Sequence, residues 1–154
     1  FELGHDLVGL GPLAAARFPL VEEARPLLAG LRDTTGESVQ LFVPSGAHRR
    51  CVVSLEPPHG LRWIVPEGSL FPLDVGSAGR VLSGDDAPGG WIERVGEREP
   101  GVAAVSAPGV DRGGHIVAAV AVSGPSERLS QQPGERFGAA VIAAAAELSR
   151  SLGA

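Results

Sequence analysis

Residues 102–123 read VAAVSAPGVDRGGHIVAAVAVS: two apolar runs, Val102–Ala107 and Ile116–Ser123, flank a turn-forming stretch, Asp111–Gly114. Aspartate and paired glycines between two such runs predict an antiparallel hairpin. Period-two alternation puts Val102, Ala104 and Ser106 on one face of the first strand, and Val117, Ala119, Ala121 and Ser123 on one face of the second. Strands with such small side chains either receive a helix closely or leave room for a ligand. Ser123 would then be a polar point on an apolar wall, as in many small-molecule pockets.

Upstream, Ser38–Val43 and Arg50–Leu55 form a second strand-like pair across a Pro-Ser-Gly loop. Leu61–Val65 and Leu70–Leu73 read as shorter strands separated by the Pro-Glu-Gly turn at 66–68, and Gly76–Leu82 as a strand giving way to a short helix. Gly84–Gly90 is a turn-rich break. Two amphipathic helices bracket these runs. In Leu20–Thr34 the apolar stripe is Leu20, Ala24, Leu27, Leu28 and Leu31, with Gly36 as a left-handed cap and Pro26 predicting a kink or a later start. From about Glu135 to Leu152 the stripe is Phe137, Val141, Ala144, Leu148 and Leu152. Hairpin-length connections predict an α+β domain with a mainly antiparallel sheet. Residues 1–18 are short, glycine-punctuated and only partly periodic, and read as a connector.

The 154 residues suit one domain, and a 44% hydrophobic content suffices for a core. All 13 basic residues are arginine, while Lys, Asn, Tyr and Met are absent, a skew that resembles codon bias in a GC-rich genome. With a net charge of −5 and scattered arginines, this stretch offers no basic face for nucleic acid or anionic membrane. The apolar run Val141–Ala146 falls far short of a membrane span, and no signal peptide is evident. A lone cysteine, Cys51, cannot form an internal disulfide and suits a reducing cytoplasm; within a strand pattern it reads as a small buried hydrophobe. The chain begins with Phe1 rather than Met, which is expected of a piece of a longer protein.

Catalytic and cofactor patterns are not found. Val75–Gly79 (VGSAG) lacks the first glycine of a nucleophile elbow, and no histidine is placed by the sequence to activate Ser77. His5, His48, His59 and His115 lack metal-ligand spacing, and the glycines form no phosphate loop. The expectation is a domain without enzymatic activity, metal or cofactor. Ser77-Ala78-Gly79-Arg80 opens a short helix with small side chains, which leaves backbone amides open to a carboxylate or simply allows a close-packed turn.

Six ordered segments together resemble the C-terminal effector-binding domain of IclR-type bacterial transcription regulators. They are FELG with LGPL at the start, TGESVQL at 35–41, LRWIVPEGSLFPLDVGSAGRVL at 61–82, GEREPGVAAVSAPGVD at 96–111, VAAVAVSGPSERL at 117–129 and the terminal ELSRSLG. GEREPGV and VSGPSERL look most like an actinobacterial subgroup associated with leucine and other amino-acid biosynthesis genes.

The resemblance implies a GAF-like fold, a curved antiparallel sheet flanked by helices and cupped around a small effector. It implies that residues 1–18 are the end of a winged-helix DNA-binding domain and a linker helix, and that 19–154 are the effector-binding domain. It further implies operator DNA as a partner through a preceding winged helix-turn-helix domain, and assembly as a homodimer or homotetramer. Carried over position by position, the effector-binding residues are the Ser77 and Ala78 amides beside Gly79, then Ser123. Ala121 and Ala104 stand where relatives have polar side chains, and Arg94 where they have an acid. Trp63, Val65 and Phe71 supply an apolar wall. The implied effector is an organic acid, an amino acid or a more apolar metabolite: the fewer polar side chains point to the last, and an inward Arg94 would pair a carboxylate; the alternative is a dimerisation domain with a vestigial, empty pocket. Glu97 and Arg98 read as a salt-bridged turn, and Trp91 as core or interface.

Overall fold

The computed structural model describes residues 19–153. The readings made for residues 1–18 lie outside that range. The elements are α1 (Pro19–Thr35), β1 (Ser38–Ser45), β2 (His48–Leu55), β3 (Leu70–Pro72), α2 (Ser77–Leu82), β4 (Ile92–Val95), β5 (Val102–Val110), β6 (Ile116–Pro125), α3 (Ser126–Leu129) and α4 (Pro133–Gly153). The six strands form one curled sheet in the order β3-β2-β1-β6-β5-β4, antiparallel throughout.

Two helices cover one face. Leu20, Ala24, Leu28 and Leu31 of α1 pack with Phe137, Val141, Ala145 and Leu148 of α4 over Val39, Leu41, Val105, Val120 and Val122. Both stripes advance by four, four and three residues, the spacing of one helical face. Their burial contributes about 1.5–3 kcal/mol for each fully buried large side chain. α1 runs unbroken through Pro26, contrary to the kink expected. Pro26 is exposed, so the carbonyl it deprives of a partner faces water. Gly36 ends the helix at φ 71°, its amide donating to the Arg32 carbonyl at 2.7 Å. α4 starts two residues earlier than expected, at Pro133, where a missing amide costs nothing. The Glu93 carboxylate accepts from the Gly134 amide at 2.7 Å, tying β4 to that positive helix end.

The opposite face is covered by α2 and the 56–75 segment, over Phe42, Cys51, Ala119 and Ala121. A bulge in β2 arranges this face. Leu41 pairs with Val53 and Phe42 with Cys51, so Val52 is the extra residue. The insertion turns Cys51 and Arg49 away from the helices, while Val53 stays with them.

Several local expectations are corrected. Leu61–Val65 is not a strand: β2 already pairs on one side with β1 and on the other with β3. Its backbone is held by side chains instead, with the Ser38 hydroxyl donating to the Trp63 carbonyl at 2.5 Å and Arg128 to that of Leu61 at 2.9 Å. Gly76 is not the start of a strand: residues 73–76 form a turn after β3, and Gly76 enters α2 at φ 82°. β4 and α3 were not expected from the sequence, and β5 and β6 extend to Val110 and Pro125.

Candidate functional site

Between the sheet and α2 lies a small cavity of about 40 Å³. That is room for a few waters or one small polar group. The β5–β6 register builds one wall: Ala104 lies opposite Ser123, and Ser106 opposite Ala121. These are the inward faces that alternation assigned to the two runs.

The small side chains of α2 matter chiefly for packing. A Cβ on Gly79 would overlap the Leu73 carbonyl and reach within 2.7 Å of Arg49, so glycine is required there by close approach. Gly79 does not line the cavity, whereas Ser77 and Ala78 do. The Ser77 hydroxyl bonds that of Ser106 at 2.8 Å, both fully out of water. α2 has no side-chain cap at its start.

Four of the ten expected site residues take positions that the resemblance does not describe. Gly79 packs against Arg49. Trp63, Val65 and Phe71 are not among the cavity-lining residues; the Arg98 guanidinium, which is, stacks 5.1 Å from the Trp63 ring centre and 4.2 Å from that of Phe71. Val65 is buried in the core beneath. Ser77, Ala78, Ala104, Ala121, Ser123 and Arg94 all border the cavity. Arg94 is engaged, however: it pairs with Glu97 at 2.9 Å and donates to the Glu93 carbonyl at 2.7 Å. Glu97 also pairs with Arg80 at 3.1 Å, a salt-bridged turn as expected for that residue. Arg98 departs from that expectation by entering the cavity wall.

Two polar residues escaped the sequence reading. Gln40 of β1 is buried and faces the cavity; its Oε1 accepts from the Ser123 hydroxyl at 2.8 Å, and its Nε2 has no partner. Arg49, only 1% exposed, is the second: it donates to the carbonyls of Pro72 and Val75, the latter at 2.7 Å, while its Nε has no partner. Burial, with repulsion from Arg98, lowers the Arg49 guanidinium to about 10. Burial lowers Arg98 as well. Alternation could have placed Gln40 on the pocket face of SVQLFV, but Arg49 depends on the β2 bulge. The lining is therefore more polar than the alanines at 104 and 121 implied.

Burial pushes the Cys51 thiol up to about 12, leaving it protonated and unreactive at neutral pH. Among the described residues, no three His, Cys, Asp or Glu side chains gather to hold a metal, and no helix is long and apolar enough to cross a membrane.

Residues 87–150 match the family model described as bacterial transcriptional regulator IclR, C-terminal. The chain is 28% identical, over 184 aligned residues, to the HTH-type transcriptional regulator BhcR of Paracoccus denitrificans; the match covers 97% of this chain and 66% of BhcR. A putative IclR-family regulator from Rhodococcus sp. superposes with a TM-score of 0.75 at 28% identity, covering 84% of this chain and 62% of that one. The IclR structure of Thermotoga maritima, at 21% identity, shares the fold with a TM-score of 0.82 over 98% of this chain and 75% of its own. The chain thus spans about two thirds of the length of the curated relative.

Proposed function

The chain carries the C-terminal domain of IclR-type transcription regulators, and from that premise we propose that it is a small-molecule effector-binding and oligomerisation domain. Effector binding in the cavity alters how a preceding winged helix-turn-helix domain of the same protein engages operator DNA in the cytoplasm. The domain performs no chemistry on the ligand. One observation carries this reading: the buried Gln40 amide directs an uncommitted donor into a cavity shared with Ser123. A buried donor without a partner is costly, and a ligand acceptor relieves that cost.

The effector acts by differential affinity. It binds one arrangement of sheet, α2 and neighbouring loops better than another, and thereby changes the spacing of DNA-binding domains across a homodimer or homotetramer. The Ser77 and Ala78 amides and the Ser123 hydroxyl orient the ligand, and Ala104 and Ala121 give it room.

The small cavity volume favours a second reading, a dimerisation domain with a vestigial pocket. A thermal-shift screen of organic acids, amino acids and neutral metabolites separates the two. A rise in Tm that grows with the logarithm of ligand concentration, reflecting a stabilisation of about 2.7 kcal/mol at one hundred times Kd, is expected for an effector domain. Ala104→Leu fills the cavity and should abolish the response while leaving the circular-dichroism spectrum unchanged. No response to any compound, or the same response in Ala104→Leu, overturns the effector assignment at this site.

A further inference from the structure

Three arginines, Arg49, Arg94 and Arg98, line the cavity against two glutamates, Glu97 and Glu99. Arg94 pairs with Glu97 at 2.9 Å, while Arg80 pairs with Glu97 at 3.1 Å and with Asp85 at 3.6 Å. Arg49 and Arg98 form no direct ion pair among the described residues; Glu99, which also lines the cavity, is exposed and attracts Arg98 from a distance, as Glu97 and Asp74 do Arg49. Both guanidinium groups lie within 5.3 Å of the Phe71 ring centre, Arg98 at 4.2 Å. Aromatic faces stabilise a cation without neutralising it. Two such cations around one ring also repel each other, and burial removes the water that would screen them.

Arg49 is positioned to be permanent. Its guanidinium holds the Pro72 and Val75 carbonyls and packs against Gly76 and Gly79, so it cannot swing out to solvent without dismantling the entry to α2. Arg98 sits on the loop between β4 and β5 and is half-buried, so it can adjust to what arrives. Gln40 adds a third donor, its Nε2 buried and unpaired. Acceptors that match this set must bring negative charge for two arginines and an oxygen for an amide.

We propose that this cavity selects a compact dicarboxylate, its two charges met by Arg98 and Arg49 and a remaining oxygen held by the Gln40 amide. The proposal rests on the effector-binding reading and adds the ligand class and the residue that sets it. Arg98 is the specificity-determining residue: its guanidinium leaves the Phe71 and Trp63 faces to pair with a carboxylate. Bidentate arginine–carboxylate pairs are strong because both partners are charged and the fork geometry matches. The cavity holds only a few waters as it stands, so the ligand is admitted as Arg98 withdraws from the rings, its short carbon chain lying along Ala104 and Ala121.

Calorimetric titration and thermal shift with dicarboxylates from malonate to glutarate, with acetate, and with neutral malonamide test it. At least one dicarboxylate is expected to bind about tenfold more tightly than acetate, with malonamide inert; tenfold corresponds to about 1.4 kcal/mol. Arg98→Gln should lose this preference and leave the unliganded Tm nearly unchanged, and Arg98→Lys should keep part of it. Acetate binding as tightly as every dicarboxylate, or undiminished dicarboxylate binding by Arg98→Gln, overturns the ligand class. A neutral compound from the wider screen binding best, with Ala104→Leu abolishing it, overturns the dicarboxylate and leaves the effector domain standing. No binding by any compound overturns both.

Discussion

Gly134 and Gly138 of α4 lack side chains because the Trp91 indole occupies that space; a Cβ on either would overlap its ring. The half-buried tryptophan lies against the helix backbone and fixes how closely β4 approaches α4. Gly138→Ala is therefore expected to destabilise the domain by about 1–3 kcal/mol through overpacking, even though alanine is the better helix former. Gly138→Ala combined with Trp91→Leu should cost less than the two single changes summed, because the smaller side chain removes the overlap. Urea unfolding of the three variants checks this; a Gly138→Ala protein as stable as its parent would rule out the close approach. Trp91 was legible only as core or interface. A sequence shows that small residues recur at 134 and 138, but not which distant ring they admit. Arg98 was hidden for a similar reason. In GEREPGV its neighbour Glu97 makes the ion pairs, and nothing in the motif reveals that Trp63 and Phe71 lie beside Arg98 in space.

At the scale of elements, strong periodicity with its own turn chemistry was readable. The β5–β6 hairpin closes through Asp111, whose Oδ1 accepts the amides of Gly113 at 2.8 Å and His115 at 3.0 Å. Those amides, with the His115 one contributing most, hold the Asp111 carboxyl below its ordinary range. The sign follows: a carboxylate favoured in the folded hairpin stabilises it above the unfolded value near about 4, and that contribution is lost as pH falls through the lower folded value. An NMR titration should give Asp111 a midpoint below that of an unfolded aspartate, with the Gly113 and His115 amide shifts following it. Asp111→Ala should reduce the loss of stability between about pH 6 and about pH 3; a parent-like acid limb in that variant would contradict the assignment. LRWIV at 61–65 failed as a strand because alternation does not reveal whether a sheet edge is free to pair. Leu61 is 68% exposed and Ile64 49%, so the run was not even an apolar face. The Val52 bulge has no sequence marker either, yet it determines that Arg49 borders the cavity.

For the whole molecule, the α+β class and the two-helix cover followed from stripes and hairpins, and the ordered motifs gave the family. What could not be read was how distant segments are tied across the sheet. Glu37, only 3% exposed, pairs with Arg128 through both carboxylate oxygens, and the same guanidinium reaches the Leu61 carbonyl at 2.9 Å. This ties the α1–β1 junction, the crossing segment and α3 into one unit, and the pairing raises the arginine's affinity for its proton. Gly124 leaves the passage open, since a Cβ there would come within 2.7 Å of the Glu37 carboxylate. Removing Arg128 strands a buried carboxylate, so Arg128→Ala should cost about 3 kcal/mol, the low end for a broken buried pair because the arginine is partly in water. Glu37→Gln with Arg128→Ala should recover much of that loss, because a neutral amide is less costly to leave there. Equilibrium urea unfolding of both single variants and the double gives the coupling directly. A shift below about 0.5 kcal/mol for Arg128→Ala, within the range of ordinary surface changes, would mean that the three segments hold together without it.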